Sequence, residues 1–342
     1  MKTSVYIHIG LHKTGTTSIQ AMLFNNRKAL LAHGINYLPL GENHSVALYP
    51  LFAAEPHRYR PNRAAGIDTE QKAAKKNAAT LASLLRELER NTSDSVVISG
   101  EDLSMLPAEG LKRLKETLAP HAARFRIIVY VRDPVATVTS IFQQRLRRGQ
   151  TYQQISRRPP RPGYQRIAAS IDVFGRENVD VRLFDSARFP NGDLIADFLS
   201  AIGAVPEVAG KLAPERANVG LSHEAALLLH EINRLRPPEG RLSLPRAEFL
   251  RLLAAIPGQP YRVPPEAMAA AQPAIDEDLR WLRGLLGDDV FPVRAAGEKP
   301  VYWQQQTVAE VALRLHDLGR NGSARRWWDG RVVPFVTRIM RH

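Results

Sequence analysis

Short apolar runs alternate along this chain with longer stretches in which apolar residues recur every three or four positions. The run Val5 to Ile9 has the length and composition of a buried strand, and Ile35 to Leu38, Ser95 to Ser99, Arg126 to Val131 and Val179 to Leu183 read as further strands. Between them lie helical patterns. Ser18 to Leu23 opens one, and Asn25 to His33 continues helical until Gly34 stops it. Thr69 to Arg90 places Leu81, Leu84, Leu85 and Leu88 on one face and basic residues on the other. Pro107 to Leu118, Tyr164 to Phe174 and Asp193 to Ile202 follow, the last ended by Gly203. Asp133 suits an N-cap and Pro134 the first helical position, so another helix is expected to about Arg148. Strand and helix alternate, which predicts a parallel sheet covered by helices on both faces.

Two stretches break the rhythm. Residues 41–66 carry Pro50, Pro56 and Pro61 with His44, His57, Arg58, Arg60 and Arg63, and read as a long irregular loop that could line an acceptor site. Residues 147–162 are basic and proline-rich and read as a mobile loop near a cleft. After Pro206 the strands cease. Only helices are expected there, over Ser222 to Leu235, Pro245 to Ala255, Pro265 to Leu286 and Val308 to Leu318, before a basic tail from Arg320 to Arg341 with Trp327 and Trp328. The expected division is an α/β core over 1–205 and a helical extension over 206–342, packed on it.

Composition narrows the classes. The chain has 342 residues and no cysteine, which excludes disulfides, thiol catalysis and cysteine–zinc sites. No His, Asp and Glu cluster with ligand spacing stands out, so no metal is implied. No apolar run is long enough to span a membrane, and the chain enters its first strand without a leader-like segment, so a cytoplasmic protein is expected. The 47 basic and 34 acidic residues give a net charge of +13. The aromatic residues are not interleaved with a basic stripe, so a cleft for a polyanionic small molecule explains the charge better than nucleic acid does. The basic tail is a candidate for peripheral membrane contact.

Chemistry gathers where the first strand meets the first helix, at Gly10-Leu11-His12-Lys13-Thr14-Gly15-Thr16-Thr17. A glycine-bracketed turn into a helix presents unpaired backbone N–H groups and the positive helix end to one point, a natural anion site. Nucleotide-hydrolysing loops of the form G-x-x-x-x-G-K-[ST] keep a lysine after the second glycine. Here Thr16 takes that place and Lys13 sits inside the loop, which moves the cation toward the first phosphate of a shorter anion. A second junction is Tyr130-Val131-Arg132-Asp133-Pro134, with Ser140 eight residues after Arg132. Arg132 leaves a strand end and suits a phosphate, or it pairs with Asp133 or another carboxylate.

His12-Lys13-Thr14-Gly15-Thr16-Thr17 resembles the 5′-phosphosulfate loop of sulfotransferases that use 3′-phosphoadenosine 5′-phosphosulfate (PAPS), and Arg132 with Ser140 resembles their 3′-phosphate grip. The resemblance covers the first half of the chain and, more loosely, the part to Leu235. It implies a three-layer α/β fold of the P-loop nucleoside-triphosphatase-like kind with a helical C-terminal extension, of bacterial, carbohydrate-sulfotransferase-like type. It implies transfer of a sulfuryl group from PAPS to a hydroxyl of a carbohydrate or glycolipid, leaving 3′-phosphoadenosine 5′-phosphate (PAP). Lys13, Thr14, Gly15, Thr16 and Thr17 would hold the phosphosulfate, with Lys13 neutralising the bridging oxygen. More weakly, Arg216 in Arg216-Ala217-Asn218-Val219-Gly220 resembles a nucleotide contact of bacterial relatives. The nucleotide-closing segment of the cytosolic enzymes has no counterpart.

The acceptor hydroxyl needs a base. Glu101 follows the strand ending at Ser99, so it emerges on the same sheet edge as the loop and Arg132. The resemblance supports it, since carbohydrate sulfotransferases place a glutamate between the two motifs. Asp102 and His12 are the alternatives, and Glu101 could instead cap the following turn. Two rivals stand beside the transferase: a P-loop-type kinase, disfavoured by the missing lysine after Gly15, and a non-catalytic nucleotide- or anion-binding protein on the same fold.

Overall fold

The computed structural model describes residues 3–11, 13–204, 220–235, 246–254, 256 and 258–291. The chain divides into two compact units, Met1–Asp133 with Gly163–Arg216, and Pro134–Pro162 with Ala217–His342. In this division 134–162 group with the later helices.

The first unit is built on a five-stranded sheet of strands β1 (Thr3–Ile9), β2 (Ile35–Tyr37), β3 (Ser95–Gly100), β4 (Ala122–Val131) and β5 (Val179–Leu183), in the order β2-β3-β1-β4-β5. Every pairing is parallel. β1 is central, so its end lies between the ends of β3 and β4 on the carboxyl edge. The helices are α1 (Thr16–Asn25), α2 (Arg27–Ala32), α3 (Ser45–Phe52), α4 (Arg60–Ala64), α5 (Glu70–Glu89), α6 (Ala108–Leu118), α9 (Ile167–Phe174) and α10 (Leu194–Ala201), with α7 (Pro134–Arg147) and α8 (Tyr152–Arg157) in the second unit.

Alternation along the strands sends side chains to two covered faces. Tyr6, Val97, Ile128 and Tyr130 pack with Ile19 and Leu23 of α1, Leu30 of α2 and Phe198 of α10. The alternate set, Val5, Ile7, Val96, Ile98, Ile127 and Val129, is fully buried, and α3 and α9 pack beside β3 and beside β4 and β5. Truncating one of these isoleucines to alanine costs about 2–5 kcal/mol. α10 is fixed to the sheet by a buried carboxylate: Asp197 accepts from the Tyr130 hydroxyl at 2.6 Å and from Arg182 at 2.7 and 2.8 Å.

Residues 41–66 are not an irregular loop. They contain α3, the 3-10 turn Pro56–Arg58 and α4. His44 is buried and does not line an open site. Its Nε2–H donates to the Leu38 carbonyl at 2.9 Å, its Nδ1 accepts from the Ser99 N–H at 3.2 Å, and its ring stacks on Tyr37.

The described residues of the second unit are mainly helical. Residues 147–162, expected as a mobile loop, contain α8, started by a capping box between Thr151 and Gln154. Val138, Phe142 and Leu146 of α7 pack with Leu221, Ala225, Leu228 and Leu229 at and after the start of helix His223–Leu235. The Asn233 amide donates to the carbonyls of Leu146 and Gln150 at 2.9 and 2.8 Å, closing the end of α7. The helix expected over 265–286 is broken into Pro265–Ala269 and Gln272–Leu286. The helix expected over 308–318 and the basic tail lie outside the described residues.

Candidate active site

The parallel strands bring three chain segments to one edge. β1 and β3 run in register, with His8 beside Ser99 and Ile9 beside Gly100, so the loop after β1 and the turn after β3 leave at the same level. On the other side β4 pairs His8 with Ile128, and its exit carries Arg132.

The loop is a tight, left-handed turn. A Cβ on Gly10 would lie 2.5 Å from the side chain of Thr16, and Gly15 (φ 75°) closes under Leu194 of α10. Lys13 also takes a left-handed backbone, φ 71°, at a residue that is not glycine. That conformation costs roughly 1 kcal/mol and is the kind of local strain held at functional turns. Helix α1 has neither a side-chain cap nor an acidic residue in its first turn. Its opening N–H groups and dipole are therefore left to an outside acceptor.

The loop hydroxyls divide. Thr14 and Thr16 are buried, and both donate to the Leu11 carbonyl, at 2.7 and 3.4 Å. They shape the turn from inside, while Thr17 is exposed at the helix start and Lys13 is half-exposed. The sequence did not separate these roles. His12 lies outside the described residues.

Glu101 opens the 3-10 turn Glu101–Met105 directly after β3 and is half-exposed. Its mounting is dense. Ser99 exchanges backbone hydrogen bonds with His44, its N–H to the imidazole and its carbonyl from the His44 N–H at 2.9 Å. The Ser99 hydroxyl lies 2.8 Å from Nδ1 of His8. The Asp102 N–H donates to the Ser45 hydroxyl at 2.8 Å, and the Ser104 hydroxyl donates to the Glu101 carbonyl at 2.8 Å. The Asp102 carboxylate accepts from the Tyr59 hydroxyl. Burial, then that carboxylate, push the Tyr59 phenol well up.

His8 is wholly buried, edge-on to Tyr130 and Phe198. Burial lowers it to about 3, against a smaller raising by the nearby Glu101 charge. Burial likewise lowers His44 to about 4. Both are neutral props under the end of β3, and neither has a distinguishing signal in the sequence.

Arg132 is held by its backbone. Its N–H donates to the hydroxyl of the fully buried Tyr164 at 3.2 Å, and that hydroxyl donates back to the Arg132 carbonyl. Its guanidinium lies 5.7 Å from the centre of the Phe184 ring. Among the described residues no carboxylate stands within ion-pair distance of it, Asp133 included. The Phe184 ring also reaches Gly15, its Cε2 only 3.1 Å from where a Cβ would stand. Loop and arginine thus meet on one aromatic ring.

Ser140 lies in the second unit, on α7, partly exposed and on the side away from the buried Val138 and Phe142. Arg216 lies outside the described residues. Among the described residues no group of three or more His, Asp or Glu side chains is placed to hold a metal ion, and no helix is long and apolar enough to cross a membrane.

No protein-family model and no curated protein matches the chain. Among solved structures, the crystal structure of a sulfotransferase from Alicyclobacillus acidocaldarius aligns over 85% of this chain and 98% of that one, at 15% identity and a TM-score of 0.44.

Proposed function

We propose that this chain is a sulfotransferase that moves a sulfuryl group from PAPS to a hydroxyl of a carbohydrate or glycolipid acceptor. The observation that carries the proposal is the convergence of two anion-binding elements on one ring. One is the Lys13 loop at an uncapped helix start, and the other is Arg132, which has no carboxylate partner among the described residues. Two cationic groups on one sheet edge suit a nucleotide with two separate anionic groups. An in-loop lysine without the lysine of nucleotide-hydrolysing loops suits a short 5′ anion.

In this reading the donor supplies an activated sulfuryl group whose bridging oxygen departs with the 5′-phosphate. Sulfuryl transfer asks of a protein what phosphoryl transfer asks: alignment, and stabilisation of charge on the departing oxygen. Lys13 and the first N–H groups of α1 stabilise that charge, and Thr17 adds a hydroxyl. Arg132 takes the 3′-phosphate through its planar fork. Glu101 accepts the acceptor's hydroxyl proton as the oxygen attacks sulfur, so the new O–S bond forms while the S–O bond to the leaving phosphate breaks. Asp102, held by Tyr59 and Ser45, sets the turn that carries Glu101.

The test is transfer of radiolabelled sulfate from PAPS to a panel of mono- and oligosaccharides and glycolipid micelles, with Glu101→Gln beside the natural chain. The expected result is labelled sugar from the natural chain, and a turnover loss of at least about 100-fold in the variant with PAP binding retained. Labelled product formed equally by both proteins removes Glu101 as the base. Phosphate transfer from ATP, with no sulfate transfer, refutes the proposal.

A further inference from the structure

Gly15 and Arg132 belong to different motifs, and Phe184 belongs to neither, yet Phe184 touches both. It follows β5 directly, and its N–H donates at 2.7 Å to the carbonyl of Val131, the residue before Arg132. Phe189 packs edge-on against it at 5.7 Å. The ring is therefore anchored to the β4 exit and backed by a second aromatic residue.

What it touches is a long side chain with no ion pair among the described residues. The main chain of Arg132 is fixed by the Tyr164 hydroxyl. The face of Phe184 lies within cation–π range of its guanidinium. An arginine left to roam in water loses rotamer freedom each time it binds a phosphate, and one already resting on a ring loses less. The same ring stands against Gly15, so one side chain touches both the loop and the arginine.

We propose that Phe184 is a positioning residue: it holds the Arg132 guanidinium beside the Gly15 turn and so sets the preference for a nucleotide carrying a 3′-phosphate. This rests on the reading of Arg132 as the 3′-phosphate ligand. It goes beyond that reading by assigning the discrimination to an aromatic side chain outside both motifs.

The test is calorimetric titration of the full chain with PAP and with adenosine 5′-monophosphate, which lacks the 3′-phosphate, on the natural protein, Arg132→Ala, Phe184→Leu and Phe184→Tyr. Arg132→Ala is expected to abolish the preference for PAP. Phe184→Leu, apolar but without a π face, is expected to lower the PAP preference about two- to tenfold and leave the monophosphate affinity unchanged. Phe184→Tyr, which keeps the face, is expected to restore it. If Arg132→Ala abolishes the preference while Phe184→Leu keeps it, the positioning role is overturned and the reading of Arg132 stands. If Phe184→Leu weakens both nucleotides equally, the ring is only structural and the proposal is overturned. If Arg132→Ala leaves the preference intact, or the natural chain shows none, the underlying reading is the one that fails.

Discussion

Removing one oxygen atom tests how Arg132 is held. In Tyr164→Phe the ring stays in its fully buried place, so no cavity opens. The hydroxyl that accepts from the Arg132 N–H and donates to the Arg132 carbonyl is lost. A net hydrogen bond contributes about 0.5–1.5 kcal/mol, so losing two costs about 1–3 kcal/mol. In a unit of this size that lowers the melting midpoint by about 2–4 °C per kcal/mol. The freed main chain also lets the guanidinium drift from Phe184, so the preference for PAP over adenosine 5′-monophosphate should fall while affinity for the monophosphate holds. Thermal melts followed by circular dichroism give the first number, and calorimetry gives the second. An unchanged midpoint together with an unchanged preference would show that the Tyr164 clamp matters neither to stability nor to the site.

Three further perturbations are expected to read out separately. Lys13→Gly and Lys13→Ala both remove the cation, but only glycine relaxes the left-handed backbone at φ 71°; the glycine variant should be the more stable by about 1 kcal/mol, with PAP affinity equally reduced, and equal stabilities would deny the strain. His8 and His44, lowered by burial from 6.5 to about 3 and about 4, bind a proton only on unfolding across that window. The unfolded state then binds more protons, so stability is full above pH 6.5 and falls as pH drops toward 4, by about 1.4 kcal/mol per pH unit for each histidine. Urea midpoints at pH 7 and pH 5 check this: His44→Gln should flatten the slope, and a midpoint independent of pH would contradict it. Asn233→Ala removes a donor from the Leu146 carbonyl, which still accepts from the Gly149 N–H, and the side-chain donor of the Gln150 carbonyl, an expected loss of about 1–2 kcal/mol in thermal melts; a loss below a few tenths would show that the amide contributes nothing to the end of α7.

Elements with a strong period were legible in the sequence. The strand Val179–Leu183 and the edges of α5 and α10 follow their apolar pattern and their caps, Thr69 and Asp193. The stretch 41–66 was opaque because its prolines read as breaks. Pro50 in fact sits inside α3, and the Val46 carbonyl that its missing N–H would have paired accepts instead from Lys76 at 3.3 Å. Pro61 falls in the first turn of α4, where a missing N–H costs nothing. In 147–162 the arginines and prolines masked the Thr151–Gln154 capping signal. Lys13 stood out in the sequence by its place between Gly10 and Gly15, and Glu101 and Arg132 by following the apolar runs that end at Ser99 and Val131. The residues that hold them did not: His8 lies within an apolar run, Phe184 and Tyr164 look like ordinary core aromatics, and only the fold brings them to the loop, to β3 and to Arg132.

The proposed nucleotide site places a 5′ anion on the Lys13 loop and a 3′-phosphate on Arg132. The most direct measurement is calorimetric titration of the natural chain with PAP against ADP and against ATP with magnesium, repeated on Lys13→Ala and Arg132→Ala. Clear preference for PAP is expected, weakened at least about tenfold by each substitution. Preference for ATP, or PAP binding indifferent to both substitutions, would contradict it.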